Sequence, residues 1–376
     1  MRNPLISSRS AITLVLAIAC VTLAVMWPGW LTAFRAEGAY QPQSQVDQVS
    51  AAAGSAAVAT ASMQNTNISI RLGALRGEIL GRAESGGGAS ADPVRQLDFG
   101  RLGLFLNGLG SFGDQEKTPR EAGFDFHTGG FLLGGDYKLT NDLILGAAIG
   151  YLNTRAQLDD SAGHVTNNGY SLSAFGTYYI ANTMHVDGIA TYTWNAYDLE
   201  RNVQSANETP RGHPDGNQFA LSVGSGYDFF VGGLTAGPTF RVNYLNIFID
   251  GYQERGAATS DLKVNSQTIT SVTTDLGAQA SYAISVPFGV LLPTVRFEWE
   301  HEYENNSRTI VSHSVVDPGQ VLTVTTNGPD RDYFRLGAGV SATFKRGTSA
   351  FFYYEAVLGR NNFTNNSFTA GLRFEF

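Results

Sequence analysis

Polar and apolar residues alternate through most of the chain from about residue 97 to residue 376. The stretch "TVRFEWEHEY", residues 294–303, is typical, because its apolar V, F and W alternate with R and E. Successive side chains of an extended strand point to opposite faces, so this period of two predicts a β-strand. We count about twelve such segments, near residues 102–112, 124–139, 143–154, 170–180, 185–195, 217–230, 234–249, 272–286, 294–303, 332–344, 350–358 and 367–376.

The connections between these segments alternate in length. Short turns follow the even-numbered segments, as in "TND" from Thr140 and "VGG" from Val231. Most odd-numbered segments are followed by long polar stretches, including residues 159–168, 201–216, 251–271 and 305–331. This alternation is typical of an up-and-down barrel in an outer membrane, with short turns in the periplasm and long loops outside the cell. A soluble β-sandwich gives no reason for it.

The two faces of the predicted strands differ in polarity. One face carries Leu, Val, Ala and aromatic residues, and the other carries Gly, Ser, Thr and charged residues. A sheet can span lipid only when it is closed, since an open edge leaves backbone groups unpaired. The sequence therefore predicts an all-β, antiparallel transmembrane barrel of about 12 strands, with a soluble β-sandwich or lipocalin-like barrel as the alternative. The charged residues predicted to line the lumen are Arg241, Asp275, Arg296, Glu298, Glu300, Arg335, Arg373 and Glu375.

A helical period replaces the alternation in the stretch "NISIRLGALRGEILGR", residues 67–82. Its apolar residues recur every three or four positions, which predicts an amphipathic helix over residues 66–82. The apolar stripe and the arginines beside it are Ile68, Arg71, Leu72, Leu75, Arg76 and Ile79. Two interpretations of the charged lumen stay open: a solvated pore lining, or a socket that receives this helix as a plug.

The residues before the helix divide into two parts. Residues 1–39 begin with the basic Arg2 and Arg9 followed by an apolar run, which is typical of a signal peptide, with an uncleaved membrane anchor as the alternative. Residues 40–65 are rich in Ala, Ser and Gln and are interpreted as a linker, weak helix or passenger remnant. The predicted domains are therefore residues 1–39, residues 40–65, the helix with its Gly/Ser linker at 66–96, and the barrel at 97–376.

Composition and motifs argue against several classes of function. The formal net charge of −8 argues against nucleic-acid binding, because phosphates require a basic surface. The single cysteine, Cys20, leaves no pair for a disulfide or a thiolate metal site. "GLGSFG" from Gly108 fits a dinucleotide-binding pattern but runs into a polar loop, and "HEYEN" from His301 lacks the second histidine of a zinc protease. We expect no enzyme, no cofactor and no metal.

Several segments together resemble an autotransporter. They are the helix "TNISIRLGALRGEIL", the strands "GGFLLGGDYKLTNDLILGAAIGYLNT", "GYSLSAFGTYY" and "DRDYFRLGAGVSATF", and the aromatic end of the chain. The resemblance covers roughly residues 66–376. It implies a translocator barrel in the outer membrane of a Gram-negative bacterium, which secretes or displays an N-terminal segment through its lumen. It also implies outer-membrane lipid, barrel-assembly machinery and periplasmic chaperones as partners, and we expect a monomer.

The sequence departs from this family in two respects. Only residues 40–65 stand between the predicted signal and the helix, so no folded passenger is expected and the passengers' protease, esterase or adhesin activities are not carried over. Some members release the passenger at paired asparagines in the helix. Here Thr66 takes the position of the attacking asparagine, between Asn65 and Asn67, so self-cleavage is not expected. The alternatives are a porin-like channel and a surface structural or adhesive barrel acting through its long loops.

The last ten residues, "SFTAGLRFEF", continue the alternation to the end of the chain. Four of them fit a polar-x-Gly-x-x-aromatic-x-aromatic pattern that resembles the terminal assembly signal of outer-membrane barrels: Thr369, Gly371, Phe374 and Phe376. We also expect this last strand to pair with the first one, near residues 102–111, because an open strand edge in lipid leaves its backbone groups unpaired.

Overall fold

The computed structural model describes residues 48–84, 101–180, 183–344 and 347–376, without the side chains of residues 74 and 76–84. The predicted signal peptide, the Gly/Ser linker at 85–96 and the side chains of Arg76 and Ile79 lie outside the described residues. One α-helix, α1 (Gln48–Glu84), precedes the strands in the described part. No helix there is both long enough and apolar enough to cross a membrane.

Twelve antiparallel strands form a closed barrel. In chain order they are β1 (Leu102–Gln115), β2 (Phe124–Lys138), β3 (Leu143–Leu158), β4 (Gly163–Ile180), β5 (Met184–Arg201), β6 (Asp215–Tyr227), β7 (Leu234–Ile249), β8 (Gln267–Tyr282), β9 (Gly289–Glu302), β10 (Asp332–Phe344), β11 (Thr348–Leu358) and β12 (Phe363–Glu375). Each strand pairs with its neighbours in sequence, and β12 pairs with β1. The predicted 12-stranded barrel and its seam are confirmed.

The two ends of the barrel differ in the length of their connections. Short turns follow the even-numbered strands at one end, and the long segments after β5, β7 and β9 lie at the other. Two of these long segments contribute four short strands to a separate sheet, which we call the cap sheet: Tyr252–Gln253, Leu262–Val264, Thr309–Ser314 and Val321–Thr325. The cap sheet was not predicted, because strands this short leave little periodicity in the sequence.

The connection predicted at residues 159–168 is a tight turn instead of a long loop. β3 continues to Leu158 and β4 begins at Gly163, so four residues turn the chain between them, and two of these, Asp160 and Ser161, have positive φ. The prediction was wrong because the upper part of this hairpin is polar. Where a strand extends beyond lipid its outer face contacts water, so the apolar half of the alternation is no longer required.

The outer face of the barrel is apolar, as predicted. Leu104 and Phe297, for example, expose 47% of their surface to the surroundings of the barrel. The inner face carries the charged residues, but it is less uniformly polar than the sequence suggested. Phe105, Phe126 and Phe175 point inward and are buried. These rings supply apolar surface inside the barrel against which a helix can pack.

Helix α1 lies in the lumen and begins at Gln48, well before the predicted start at residue 66. Its N-terminal half consists largely of Ala and Ser, and Ala53 and Ala57 belong to a buried cluster that includes Phe126. Alanine has the highest helix propensity, and its small side chain lets the helix approach large inward residues of the wall closely. The sequence shows no apolar stripe here because small residues lie on all sides of the helix.

The helix-filled lumen as candidate functional site

The N-terminal end of α1 is held at the long-loop end of the barrel. The Gln48 side chain donates to the Arg120 carbonyl oxygen at 3.2 Å and accepts from the Ala122 N–H at 2.8 Å. The Ser50 and Tyr252 hydroxyl oxygens lie 2.7 Å apart. A small buried cluster joins the helix to the cap sheet: Ala51, Leu262, Val264 and Ile310. The first turns of α1 are therefore enclosed by loops and the cap sheet.

A chain of three threonine hydroxyls fixes the helix to β3 and β2. Thr60 Oγ1 donates to the Ala56 carbonyl oxygen of its own helix at 2.8 Å. Its proton is thereby used, so Thr154 Oγ1, 2.8 Å away, is the donor to Thr60. By the same reasoning Thr128 donates to Thr154 across 2.9 Å. These buried hydroxyls set the height of the helix relative to the wall.

Two amide side chains continue this attachment below the threonines. Gln64 donates to the Ser171 hydroxyl on β4, and its side-chain oxygen accepts from Thr193 on β5 at 3.2 Å. Asn107 on β1 donates to Asn67 at 2.9 Å. All five side chains belong to residues in or near the predicted helix and strands, yet none was predicted as a site residue, because neutral polar residues give no distinctive sequence signal.

The predicted apolar stripe of the helix contacts the apolar part of the wall. Ile68, Leu72 and Leu75 are buried in one cluster with residues of β1 to β5. The barrel residues of this cluster are Phe105, Leu109, Leu132, Ile144, Ala148, Leu152, Phe175 and Ile189. Truncating a buried Leu or Ile to Ala costs about 2–5 kcal/mol, so this contact contributes strongly to holding the helix.

Arg71 forms the most deeply buried ion pair of the helix. Its Nη2 lies 2.9 Å from Asp136 Oδ2, and its guanidinium carbon lies 5.3 Å from the centre of the Phe105 ring. The same carboxylate accepts from Arg373 on β12, with Nη2 2.6 Å from Oδ1 and Nε 3.2 Å from Oδ2. Arg373 also pairs with Glu375. Asp136 thus connects the helix with the last strand of the barrel.

Asp136 was missed in the sequence analysis, although a signal for it exists. It lies in phase with Leu132 and Gly134 on the inward face of β2, while Tyr137 is exposed on the outer face. A carboxylate at an inward position is notable because it must find a cation once it is buried. The inward positions of β2 before Asp136 are uncharged, and the one charged residue in phase after it is Lys138 at the end of the strand, so Asp136 did not stand out as part of a cluster.

The strands β8 to β11 form a charged wall opposite the attachment points on β2 to β5. Arg335 on β10 pairs with Glu300 on β9, lies 3.4 Å from Asp275 on β8, and lies 3.9 Å from Glu355 on β11. Three of these residues were predicted to line the lumen, and Glu355 was missed. Because Arg335 has three carboxylates around it, no single one of them is essential for its charge.

Two arginines of the charged wall reach the helix. Arg296 pairs with Glu298 and donates to the Ser69 hydroxyl at 3.2 Å, and Arg335 donates to the Thr66 hydroxyl at 3.2 Å. The residue in the position of the attacking asparagine is thus held by an arginine of the wall. These contacts are hydrogen bonds to small hydroxyl groups. Apolar packing on this side lies nearer the start of the helix, where Ile269 of β8 belongs to the buried cluster that contains Ala53 and Ala57.

Two cavities lie between α1 and the charged wall. The larger, of about 450 Å³, includes Arg241 in its lining, and the smaller, of about 90 Å³, includes Tyr353. Both extend to Ser69 and Arg296. Arg241 Nε and Tyr353 Oη are buried and have no hydrogen-bond partner among the described protein atoms. Groups of this kind take water as their partner, which makes this side of the lumen wet.

The four residues of the predicted assembly signal lie at the end of β12, two on each face of the strand. Thr369 is buried on the lumen side, and Gly371 lies on the same side. Phe374 and Phe376 are exposed on the outer face, with 47% and 68% of their surface accessible. Glu375 lies inward, paired with Arg373. The two aromatic side chains are therefore presented on the outer surface of the barrel.

A half-buried carboxylate with a perturbed pKa lies among the loops outside the membrane. Glu121, after β1, accepts hydrogen bonds from the backbone N–H and the side-chain amide of Asn327, at 3.1 and 2.7 Å. Burial raises the pKa of Glu121 above its ordinary value, although these hydrogen bonds and the nearby Arg308 act in the opposite direction. The residue joins the first long loop to the segment between β9 and β10.

Fold and lumen together define a class of protein: a transmembrane β-barrel that contains its own helical plug. Among the residues that the structure describes, no group of three or more His, Cys, Asp or Glu side chains could hold a metal ion. The charged groups pair with one another and with the helix, an arrangement suited to holding a polypeptide segment.

The autotransporter β-domain family matches residues 104–355, and the chain belongs to this family. It is an outer-membrane translocator barrel of a Gram-negative bacterium, which confirms the kind of barrel and the location that the resemblance implied. The chain is 27% identical over 297 residues to outer membrane protein B of Rickettsia prowazekii, covering 74% of this chain and 18% of that protein. It is 24% identical over 257 residues to esterase EstA of Pseudomonas aeruginosa, covering 67% and 39%. The chain thus spans less than two fifths of the length of either relative.

Solved structures show the same fold. The translocator domain of autotransporter NalP from Neisseria meningitidis superimposes with a TM-score of 0.60 at 17% identity, covering 85% of this chain and 99% of that domain. The transport unit of autotransporter AIDA-I from Escherichia coli gives 0.52 at 15% identity, with 81% and 98% covered. Agreement at such low identity reflects the barrel architecture itself.

Proposed function

We propose that this barrel carries the polypeptide segment preceding α1 through its lumen and displays or releases it at the cell surface. The observation that supports this most directly is the direction of the helix. Gln48 contacts the long-loop end, whereas Arg71 contacts Asp136 near the short turn after β2. Long loops of outer-membrane barrels face the outside and short turns face the periplasm. The N-terminal end of α1 accordingly lies at the outer side.

The position of the first barrel strand agrees with this direction of the helix. β1 begins at Leu102, which pairs with Tyr137 near the short turn after β2. The C-terminal end of α1 and the first residue of β1 therefore lie on the same side of the membrane. A helix that enters from the periplasmic side and ends outside leaves the preceding residues no other route than the lumen. We propose an export signal at 1–39, a short segment from residue 40 to the start of α1, the lumen helix with its linker up to residue 96, and the barrel at 97–376.

Assembly by the barrel-assembly machinery, with periplasmic chaperones as escorts, belongs to the same proposal. The aromatic side chains of Phe374 and Phe376 are exposed on the outer surface, where an assembly factor can reach them. Deleting Phe376, or the Phe376→Asp substitution, is expected to lower the amount of heat-modifiable barrel in the membrane fraction. An undiminished amount of folded barrel would contradict this role.

The barrel itself is proposed to be non-enzymatic. Relatives are named for esterase and serine protease activities, but the matched region covers only 39% and 26% of those proteins. The charged residues of this lumen are held in ion pairs with each other. No nucleophile with an adjacent base was found in the sequence, and we assign the chain no catalytic residue.

A reporter fused at Tyr40 tests translocation. We expect an added protease to remove the reporter from intact cells, because the segment ahead of the helix is outside. As a control, a periplasmic protein must stay intact in the same cells. A reporter that is degraded only after the outer membrane is permeabilised would contradict the proposed direction.

A channel function is the second candidate, and the two wet cavities beside α1 favour it. They meet at Ser69 and Arg296, so a narrow hydrated path follows the charged wall. In a planar bilayer the intact chain is expected to show small conductance steps that rise strongly when residues 40–90 are deleted. Large steps in the intact chain would instead favour an open porin and contradict the plug.

A further inference from the structure

A glycine at the seam of the barrel leaves space for a side chain from the strand that pairs with it. Gly103 on β1 pairs with Asp136 on one side and with Glu375 on the other. A Cβ atom at Gly103 would overlap the guanidinium group of Arg373. The backbone of Gly103 is not in the positive-φ region, so space, not conformation, requires glycine here. Arg373 passes over β1 at this point and reaches β2.

A second glycine at the seam also leaves space for a side chain of the paired strand, and this side chain binds the helix. Gly371 on β12 pairs with Asn107 on β1, and a Cβ atom at Gly371 would overlap the Asn107 side-chain oxygen. Asn107 in turn donates to Asn67 of α1 at 2.9 Å. At both glycines a side chain connects the seam to the helix. Arg373 does so through its ion pair with Asp136, and Asn107 does so through an amide hydrogen bond.

The ion-pair crossing joins charged groups of the helix, of β2 and of the last strand. Two cations, Arg71 and Arg373, meet two anions, Asp136 and Glu375, and all four side chains are buried. Removing either arginine takes one cation away from the buried Asp136 carboxylate. An unbalanced buried charge is costly, so water has to enter and the remaining contacts loosen.

We propose that Asp136 is a positioning residue that couples closure of the barrel seam to seating of the helix. Its carboxylate binds Arg71 of α1 and Arg373 of β12 together, and Glu375 beside Arg373 offsets the repulsion between the two cations, so the position of each arginine depends on the other. Such coupling is reciprocal: loosening the helix loosens the seam, and loosening the seam loosens the helix. The inference goes beyond the proposed function, because it holds whether or not a segment is secreted.

The same arrangement gives an order to assembly. Before β12 pairs with β1, the carboxylate of Asp136 lacks its second arginine, and the seat of Arg71 is incomplete. Pairing of β12, the strand that carries the predicted assembly signal, delivers Arg373 across Gly103. Firm seating of the lower half of α1 is thereby reserved for the closed barrel.

Hydrogen exchange of the full chain in detergent, measured by mass spectrometry, tests the coupling. In Arg71→Gln we expect amides of β1 and β12 near the seam to exchange roughly threefold or more faster than in the wild type, although the mutated residue lies on the helix. Arg71→Lys, which keeps the charge, is expected to restore most of the protection. The control is Gln64→Ala, which removes helix contacts to β4 and β5 only.

Gly103→Ala gives an independent test that preserves all four charges. Its methyl group displaces Arg373, and we expect faster exchange in the lower half of α1 as well as at the seam. Unchanged seam exchange in Arg71→Gln, or an equal rise in Gln64→Ala, would overturn the proposal. If Arg71→Gln does not fold, Gly103→Ala decides alone, and helix protection equal to the wild type then overturns it.

Discussion

The two sides of the lumen hold the helix in different ways. On the packed wall, strands β2 to β5, the helix meets apolar side chains and single, buried polar partners such as Thr154 and Asp136. On the charged wall, strands β8 to β11, it meets hydroxyl contacts to Arg296 and Arg335 beside wet cavities. The packed wall determines where the helix sits, and the charged wall closes the remaining space with water and mutually paired charges.

This difference has a consequence for mutational sensitivity. On the packed wall, polar side chains of the helix bind single residues such as Thr154 and Asp136, and the loss of such a residue leaves a buried group unsatisfied. On the charged wall Arg335 lies near three carboxylates and lines the larger cavity, so the loss of one carboxylate is compensated by the others. Matched substitutions on the two walls can therefore confirm or break the comparison.

The largest expected effect comes from removing a carboxylate from each wall in turn. Asp136→Ala leaves Arg71 without its buried anion and is expected to lower the free energy of unfolding by about 3–5 kcal/mol. Asp275→Ala leaves Arg335 paired with Glu300, and a loss of about 1 kcal/mol is expected. Urea unfolding of the detergent-solubilised barrel measures both. Equal losses in the two variants would contradict the division into two walls.

A smaller effect is expected from adding the same bulk on opposite faces of the helix. Ala57 is fully buried in the apolar cluster that includes Phe126 of the packed wall, whereas Ser62 is exposed and lines the larger cavity. Ala57→Leu is expected to cost about 1–3 kcal/mol through overpacking, and Ser62→Leu close to nothing. Thermal loss of the heat-modifiable form compares them. A greater loss in Ser62→Leu would show that the helix packs tightly on the other side.

The smallest effect concerns the loops that surround the start of the helix. Because burial raises the pKa of Glu121 in the folded protein, its contribution to stability is fully present below the ordinary pKa of a glutamate. That contribution is lost as pH rises through the folded-state pKa. Relative to Glu121→Gln, the wild type should therefore lose stability on going from about pH 4 to about pH 8, by on the order of 0.5 kcal/mol. Thermal midpoints of both proteins across this range measure the difference. A difference that stays constant with pH, or that changes in the opposite direction, would contradict the effect of burial on the pKa of Glu121.

The barrel could be predicted from the sequence because lipid imposes a regular pattern. Every membrane-spanning strand must be apolar on its outer face, and this gave the strand number, the seam between β1 and β12 and the inward position of Arg296 and Glu298. Above the membrane the constraint disappears. The hairpin of β3 and β4 and the cap sheet consequently left no readable alternation.

The arrangement of the helix was harder to predict for a different reason. From Gln48 to residue 65 most side chains of the helix are small, which lets this half lie close to the wall. An Ala-rich sequence of this kind resembles a linker when the surrounding barrel is unknown. Asp136 was missed because its partners, Arg71 and Arg373, come from distant parts of the chain. Only the closed barrel brings the three together, so no local spacing could indicate the contact.

Disulfide cross-linking in native outer membranes tests the position and direction of α1 most directly. Thr60 lies beside Thr154, and Asn67 lies beside Asn107, with 2.8 and 2.9 Å between their polar atoms. In a Cys20→Ser background, the variants T60C/T154C and N67C/N107C are expected to cross-link almost completely. The crossed pairs T60C/N107C and N67C/T154C should stay reduced. Efficient cross-linking of the crossed pairs, or none in the direct pairs, would show that the helix does not run through the lumen as described.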